Sequence, residues 1–107
     1  MKITKCSRVQ TLKIADLSER TGVKVRKLVP VIMHHGLMKL KEGADIFECE
    51  EVKVAYMQPS LKTGFDVLHA QTGEKLSILY ANALNYGIEH LNRQVNEIKE
   101  SVFVRFG

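Results

Sequence analysis

Between Leu12 and Met38 apolar residues recur at helical spacing on either side of a glycine. Ile14 and Leu17 share one face of a helix predicted from near Lys13 to Thr21, with Asp16, Glu19 and Arg20 turned outward. Gly22 supplies the left-handed residue that ends it, and Val23 tucks back as a plug. A second helix is predicted from about Lys24. It sets Val25, Leu28, Val29 and Ile32 toward the core, with Arg26, Lys27, Pro30 and His34 opposite. Pro30 either kinks this helix or starts a fresh turn, and Gly36 closes it. Ahead of this unit, residues 1–10 alternate poorly and read as a basic arm or a short strand.

After Gly36 the period changes. Met38 and Leu40 alternate with Lys39 and Lys41, Glu42–Asp45 turns and Ile46-Phe47 returns, so Leu37–Glu48 is predicted as a hairpin. Cys49–Met57 reads as a third helix, with Glu50 and Glu51 in its first turn and Val52, Ala55 and Tyr56 inward. Pro59, Ser60 and Gly64 break the pattern, Phe65–Ala70 fits either a strand or a helical turn, and Gln71-Thr72-Gly73 breaks it again. From Glu74 to Val102 the chain reads as one long helix. Ala81, Leu84, Ile88, Leu91, Val95, Ile98 and Val102 alternate steps of three and four along it, the seam of a coiled coil. Gly87 interrupts that helix at a cost of about 1 kcal/mol relative to alanine. The tail Ser101–Gly107 carries Phe103 and Phe106.

These elements predict a mostly α protein: a small winged helix-turn-helix domain with a short β-hairpin wing over residues 1–58, a linker over 59–73, and a C-terminal dimerisation helix and tail over 74–107. The 107 residues, 45% of them apolar, suffice for one modest core. No run approaches a membrane span and the N-terminus has no apolar signal segment, so a cytoplasmic protein is expected. Cys6 and Cys49 are isolated thiols. His34 and His35 lack the spacing to join Cys49 in a metal site, so neither metal nor cofactor is expected.

Charge sharpens the picture. Residues 1–41 carry ten Lys or Arg against Asp16 and Glu19, a net +8, whereas residues 42–107 carry six basic and ten acidic side chains, a net −4. A basic front half points to a polyanion met by the N-terminal unit. The expected nucleic-acid contacts are Lys24, Arg26, Lys27 and His34 on the second helix and Lys39 and Lys41 on the wing. Pairing of two copies is expected through Leu84, Ile88, Leu91, Val95, Ile98 and Val102.

The run DLSERTGVKVRKL (Asp16–Leu28) resembles the winged helix-turn-helix of mercury-resistance-type transcriptional regulators, through Leu17, Thr21-Gly22-Val23 and Val25-Arg26. After Leu28 it departs, lacking the aromatic residues that follow there and reaching Gly36-Leu37 one residue late. The same region is similar to the small N-terminal module of bacterial translation initiation factor two, through Gly22-Val23, Leu28, Val31-Ile32-Met33, Gly36-Leu37 and Ile46-Phe47. The chain has no GTP-binding loop, so that factor's activity does not carry over. Both resemblances cover residues 12–57 and imply a helix-turn-helix-like module.

The expectation is a dimeric, sequence-selective protein that binds double-stranded DNA, a small transcriptional regulator or a plasmid or phage control factor. An RNA- or ribosome-associated module and a protein-interaction adaptor are the alternatives. No phosphate loop, nucleophile–base pair or paired carboxylates suggest an enzyme.

Overall fold

The computed structural model describes the backbone of residues 1–106 and the side chains of residues 1–96. Its elements are β1 (Lys2–Lys5), α1 (Arg8–Thr21), α2 (Val25–Lys41), β2 (Lys53–Tyr56), α3 (Pro59–Thr72) and α4 (Leu76–Phe106). The second three repeat the first three. Lys2 corresponds to Lys53, Arg8 to Pro59 and Val25 to Leu76, an offset of 51 residues each time, and the two strands and the two leading helices have equal lengths.

The two strand–helix–helix units are related by an internal two-fold axis. In the antiparallel β1–β2 ribbon Lys2 pairs with Tyr56, Lys5 with Lys53, and Ile3 with Val54. The offset exchanges the first two pairs and returns the third to itself, which places the axis through Ile3 and Val54. The same symmetry governs the α2–α4 crossing. A Cβ built on Gly36 would lie 1.8 Å from the Ala83 carbonyl oxygen, and one built on Gly87 would lie 1.9 Å from that of Ile32. Glycine at both positions lets two antiparallel helices touch backbone to backbone.

Each unit folds by the same local chemistry. Leu17, Thr21, Gly22, Lys24 and Leu28 recur as Leu68, Thr72, Gly73, Lys75 and Leu79. Gly22 (φ 72°) and Gly73 (φ 74°) end α1 and α3 in the left-handed region, donating to the Ser18 and His69 carbonyls at 2.9 Å. The preceding threonine hydroxyls donate to the Leu17 and Leu68 carbonyls at 2.7 Å and accept from the amides of Val23 and Glu74. The helix starts differ. Ser7 and Gln10 form a reciprocal capping box on α1, whereas α3 starts with Pro59 in its first turn.

One core joins the units. Ile14 and Leu17 of α1, Ile32 and Met33 of α2, Phe65 and Leu68 of α3, and Leu79 and Leu84 of α4 are all buried in it. The irregular segment between α2 and β2 is tied to α4 by side chains. The Asn82 amide accepts from the Phe47 N–H and donates to the Phe47 carbonyl, both at 2.9 Å, and Tyr86 donates to the Asp45 carbonyl at 2.6 Å.

The protein is mostly helical, as the periodicity predicts, and α4 matches the long helix expected from Glu74. Several expectations are corrected. α1 starts five residues earlier than Lys13, because Ser7 and Gln10 cap it. α2 does not close at Gly36 but continues to Lys41. The hairpin expected over Leu37–Glu48 is therefore the end of α2 followed by irregular chain, and Lys39 and Lys41 sit on a helix rather than a wing. Cys49–Met57 is not a helix: it holds β2, which pairs with the N-terminal segment. The expected linker, 59–73, is α3, whose Leu61, Phe65 and Leu68 are buried. Leu84 and Ile88 are 0% and 2% exposed within the chain's own core, so neither is free to line a seam between copies. Leu91 and Val95 are half-buried against that core, and the side chains of Ile98, Val102, Phe103 and Phe106 lie outside the described residues.

Candidate nucleic-acid interface

The cations expected to act together fall into two groups. Lys24 caps α2 and Arg26 and Lys27 stand in its first turn, all three exposed and in no ion pair among the described residues. Lys39 and Lys41 occupy the last turn, and Lys27 and Lys39 are separated by about 18 Å along the helix axis. Lys39 also faces Glu42 at 4.0 Å. His34 lies between the groups, lining with Pro30 and Val31 a shallow cavity of about 260 Å³ whose other wall is Gln58, Ser60 and Leu61 at the start of α3. With α3 against its middle and Leu28, Val29, Ile32, Met33, Gly36, Leu37 and Leu40 buried, α2 is the central core helix. Its exposed cations stand at its two ends, three in and just before the first turn and two in the last. Val25, expected in the core, is 45% exposed in the first turn.

The ribbon was missing from the expected site. Its inward residues are Ile3 and Val54, half-buried on the core. Lys2, Thr4, Lys5, Lys53, Ala55 and Tyr56 are all exposed, and neither strand contains a carboxylate. Three lysines thus lie on a ribbon of two four-residue strands. The Lys2–Tyr56 and Lys5–Lys53 pairings flank its centre, and Thr4 donates across to the Lys53 carbonyl at 3.3 Å. A helix start flanks the ribbon: the Val52 N–H, just before β2, donates to the Ser77 carbonyl in the first turn of α4 at 3.1 Å. The internal symmetry relates Ser77 to Arg26, but among the described residues no equivalent hydrogen bond or contact joins the first turn of α2 to β1. The sequence signal for the ribbon was the offset of 51 residues, in which Lys2 recurs as Lys53 and Thr21-Gly22 as Thr72-Gly73.

Three of the four histidines gather where α2 and α4 meet. His35 stacks on His90 with ring centroids 4.3 Å apart, and His34 meets His35 edge-on at 5.7 Å. Burial, then the neighbouring His90 and His34, hold His35 below the ordinary histidine pKa. Among the described residues no group of three or more His, Cys, Asp or Glu is placed to hold a metal ion, and no helix is long and apolar enough to cross a membrane. Burial pushes the Cys49 thiol up. Set against protein-family models, curated proteins and solved structures, the chain finds no match.

Proposed function

We propose that this chain binds double-stranded DNA as a single molecule, with the β1–β2 ribbon in the major groove and the first turns of α2 and α4 against the flanking phosphates. The observation that carries this reading is the two-fold ribbon presenting Lys2, Lys5 and Lys53 with no carboxylate in either strand. A B-DNA major groove, about 12 Å wide, admits a two-stranded ribbon as readily as a helix. Its own local two-fold matches that of the ribbon. Lys24, Arg26 and Lys27 bind backbone and fix register, while the ribbon meets base edges. Such binding suits a small transcriptional regulator or a plasmid or phage control factor. The second unit that a homodimer would supply is already present on the same chain.

The test is a titration of duplex DNA at several salt concentrations. Affinity falls steeply with salt. Lys24→Ala combined with Lys27→Ala makes the slope of log K against log salt shallower by about 1 for each phosphate no longer neutralised, and Lys2→Ala combined with Lys53→Ala weakens the preference for one duplex sequence over another. Sedimentation gives one chain per duplex site. Duplex DNA that gives no salt-dependent binding at low ionic strength overturns the reading, as does a ribbon variant that binds like the wild type. Tighter binding of structured RNA at matched salt would transfer the site to RNA.

A further inference from the structure

The two units share a backbone plan but not a surface, and the differences fall where a nucleic acid would touch. Across the internal two-fold, Thr4 corresponds to Ala55, Lys5 to Tyr56, Arg8 to Pro59, Arg26 to Ser77 and Lys27 to Ile78. Lys24 and Lys75 correspond, but Lys75 faces Glu51 at 3.8 Å whereas Lys24 is in no ion pair among the described residues. The first unit therefore offers hydroxyl and cationic groups, and the second a methyl, an aromatic ring 60% exposed at Tyr56, and one ribbon cation, Lys53, in no ion pair among the described residues.

Resting on the DNA-binding reading, we infer that the chain recognises an asymmetric duplex site in one fixed orientation, made of two non-equivalent half-sites. The N-terminal unit takes the half-site read through hydrogen bonds from Thr4 and Lys5, and the C-terminal unit takes the one read through apolar contacts of Ala55 and Tyr56. Two identical chains related by a two-fold read a palindrome, because each side chain appears twice. A fused pair whose reading residues have diverged is released from that constraint. Thr4 and Lys5 suit hydrogen-bond acceptors on base edges, such as guanine N7 and O6, whereas a methyl group and an aromatic ring suit the thymine methyl. Core positions change mostly among apolar residues, as from Ile14 to Phe65 and from Met33 to Leu84, and some do not change at all. Leu17, Leu28, Gly36 and Leu40 recur unchanged as Leu68, Leu79, Gly87 and Leu91.

Selection of the full chain against a random duplex pool tests this, followed by two synthetic duplexes, each carrying one recovered half-site twice in palindromic arrangement. The expected result is an asymmetric consensus, with at least one symmetrised duplex bound about tenfold or more weakly than the selected site. Lys5→Tyr then alters base preference in one half-site only, and Tyr56→Lys in the other. A palindromic consensus, or two symmetrised duplexes bound as tightly as the selected site, overturns the inference while leaving DNA binding standing. Failure to bind any duplex overturns the DNA-binding reading itself. Because Lys5 and Tyr56 are both exposed, circular dichroism of the two variants is expected to match the wild type. If either variant unfolds, Thr4→Ala, which gives β1 the residue of β2, serves the same test.

Discussion

Replacing Gly36 with alanine adds one carbon at the place where the two units meet. In the folded backbone that carbon would lie 1.8 Å from the Ala83 carbonyl oxygen, 2.4 Å from its carbon and 2.6 Å from its Cα. All three are backbone atoms, so no rotamer change relieves the overlap, and reaching ordinary packing distance requires α2 and α4 to move apart by roughly 1.5 Å. Two effects oppose each other. Alanine favours a helix interior over glycine by about 1 kcal/mol. Overpacking costs about 1–3 kcal/mol, occasionally more, and a gap of about 0.5–1 Å already forfeits a quarter to a half of the dispersion attraction along the crossing. Ile32, Met33, Leu84 and Ile88, all at most 2% exposed, would be loosened together. The net expectation is a destabilisation of about 3 kcal/mol, a large share of the ~5–15 kcal/mol typical of a domain.

Urea unfolding of Gly36→Ala and Gly87→Ala measures this, with the midpoint falling and the slope m unchanged. The corresponding fall in Tm is roughly 10–25 °C. The internal two-fold adds a sharper expectation. Because both substitutions force the same pair of helices apart, the double variant is destabilised clearly less than the sum of the two single effects. Gly64→Ala is the contrast, since its Cβ would meet the end of the Leu37 side chain at 2.6 Å, an atom free to move, and its cost is smaller. A stabilised Gly36→Ala, by the ~1 kcal/mol that helix propensity alone supplies, would refute the close crossing.

Other outcomes follow from single interactions. Asn82→Ala removes both bonds to the Phe47 backbone and is expected to cost about 1–3 kcal/mol, with faster exchange of the Phe47 amide proton as the direct readout. Ser7→Ala deletes the α1 cap and lowers stability by about 1 kcal/mol in the same unfolding assay, while Ser60→Ala, at an exposed position of α3, is near neutral. Acidification weakens the fold through His35. Its folded pKa lies below the unfolded value of 6.5, so the unfolded chain binds the extra proton first. Stability is full above that value and falls as pH drops through 6.5 toward the folded pKa. Replacement of His90 by Phe keeps a stacked ring while removing one source of charge. Because burial is the larger cause of the lowered pKa, the replacement is expected to flatten Tm against pH only in part, and an unchanged profile would count against His90 as a contributor.

The elements with long, regular apolar spacing were readable in the sequence. α4 was, and so was the α1–α2 pair with its glycine turn, because a stripe at helical period, ended by Gly22, leaves few alternatives. The short elements were not. β1 and β2 are four residues each and exist only because they pair with one another 51 residues apart, which no local window contains. Gly36, Pro59 and Gly64 misled for a common reason. Each is a breaker by propensity, yet Gly36 serves a tertiary approach, Pro59 starts a helix where its missing N–H has no partner to lose, and Gly64 makes room for Leu37.

The candidate site was half visible for a deeper reason. An amphipathic helix with cations on one face is what a reading helix needs, but a central core helix with an exposed first turn has the same pattern. Periodicity cannot separate the two, since it registers only that one face is buried and not how many neighbours share the other. Repetition can. The spacing Leu–Thr–Gly–Lys–Leu occurs at Leu17–Leu28 and again at Leu68–Leu79, and a protein needs only one reading helix per half-site. Two copies of the motif in one chain call for a two-fold arrangement, in which the second helices pack on each other at the axis and the strands are left to pair on the surface. On that reasoning Leu84 and Ile88 belong to an internal seam rather than to one between chains, and Lys2 and Lys53 become the matched positions to mutate first.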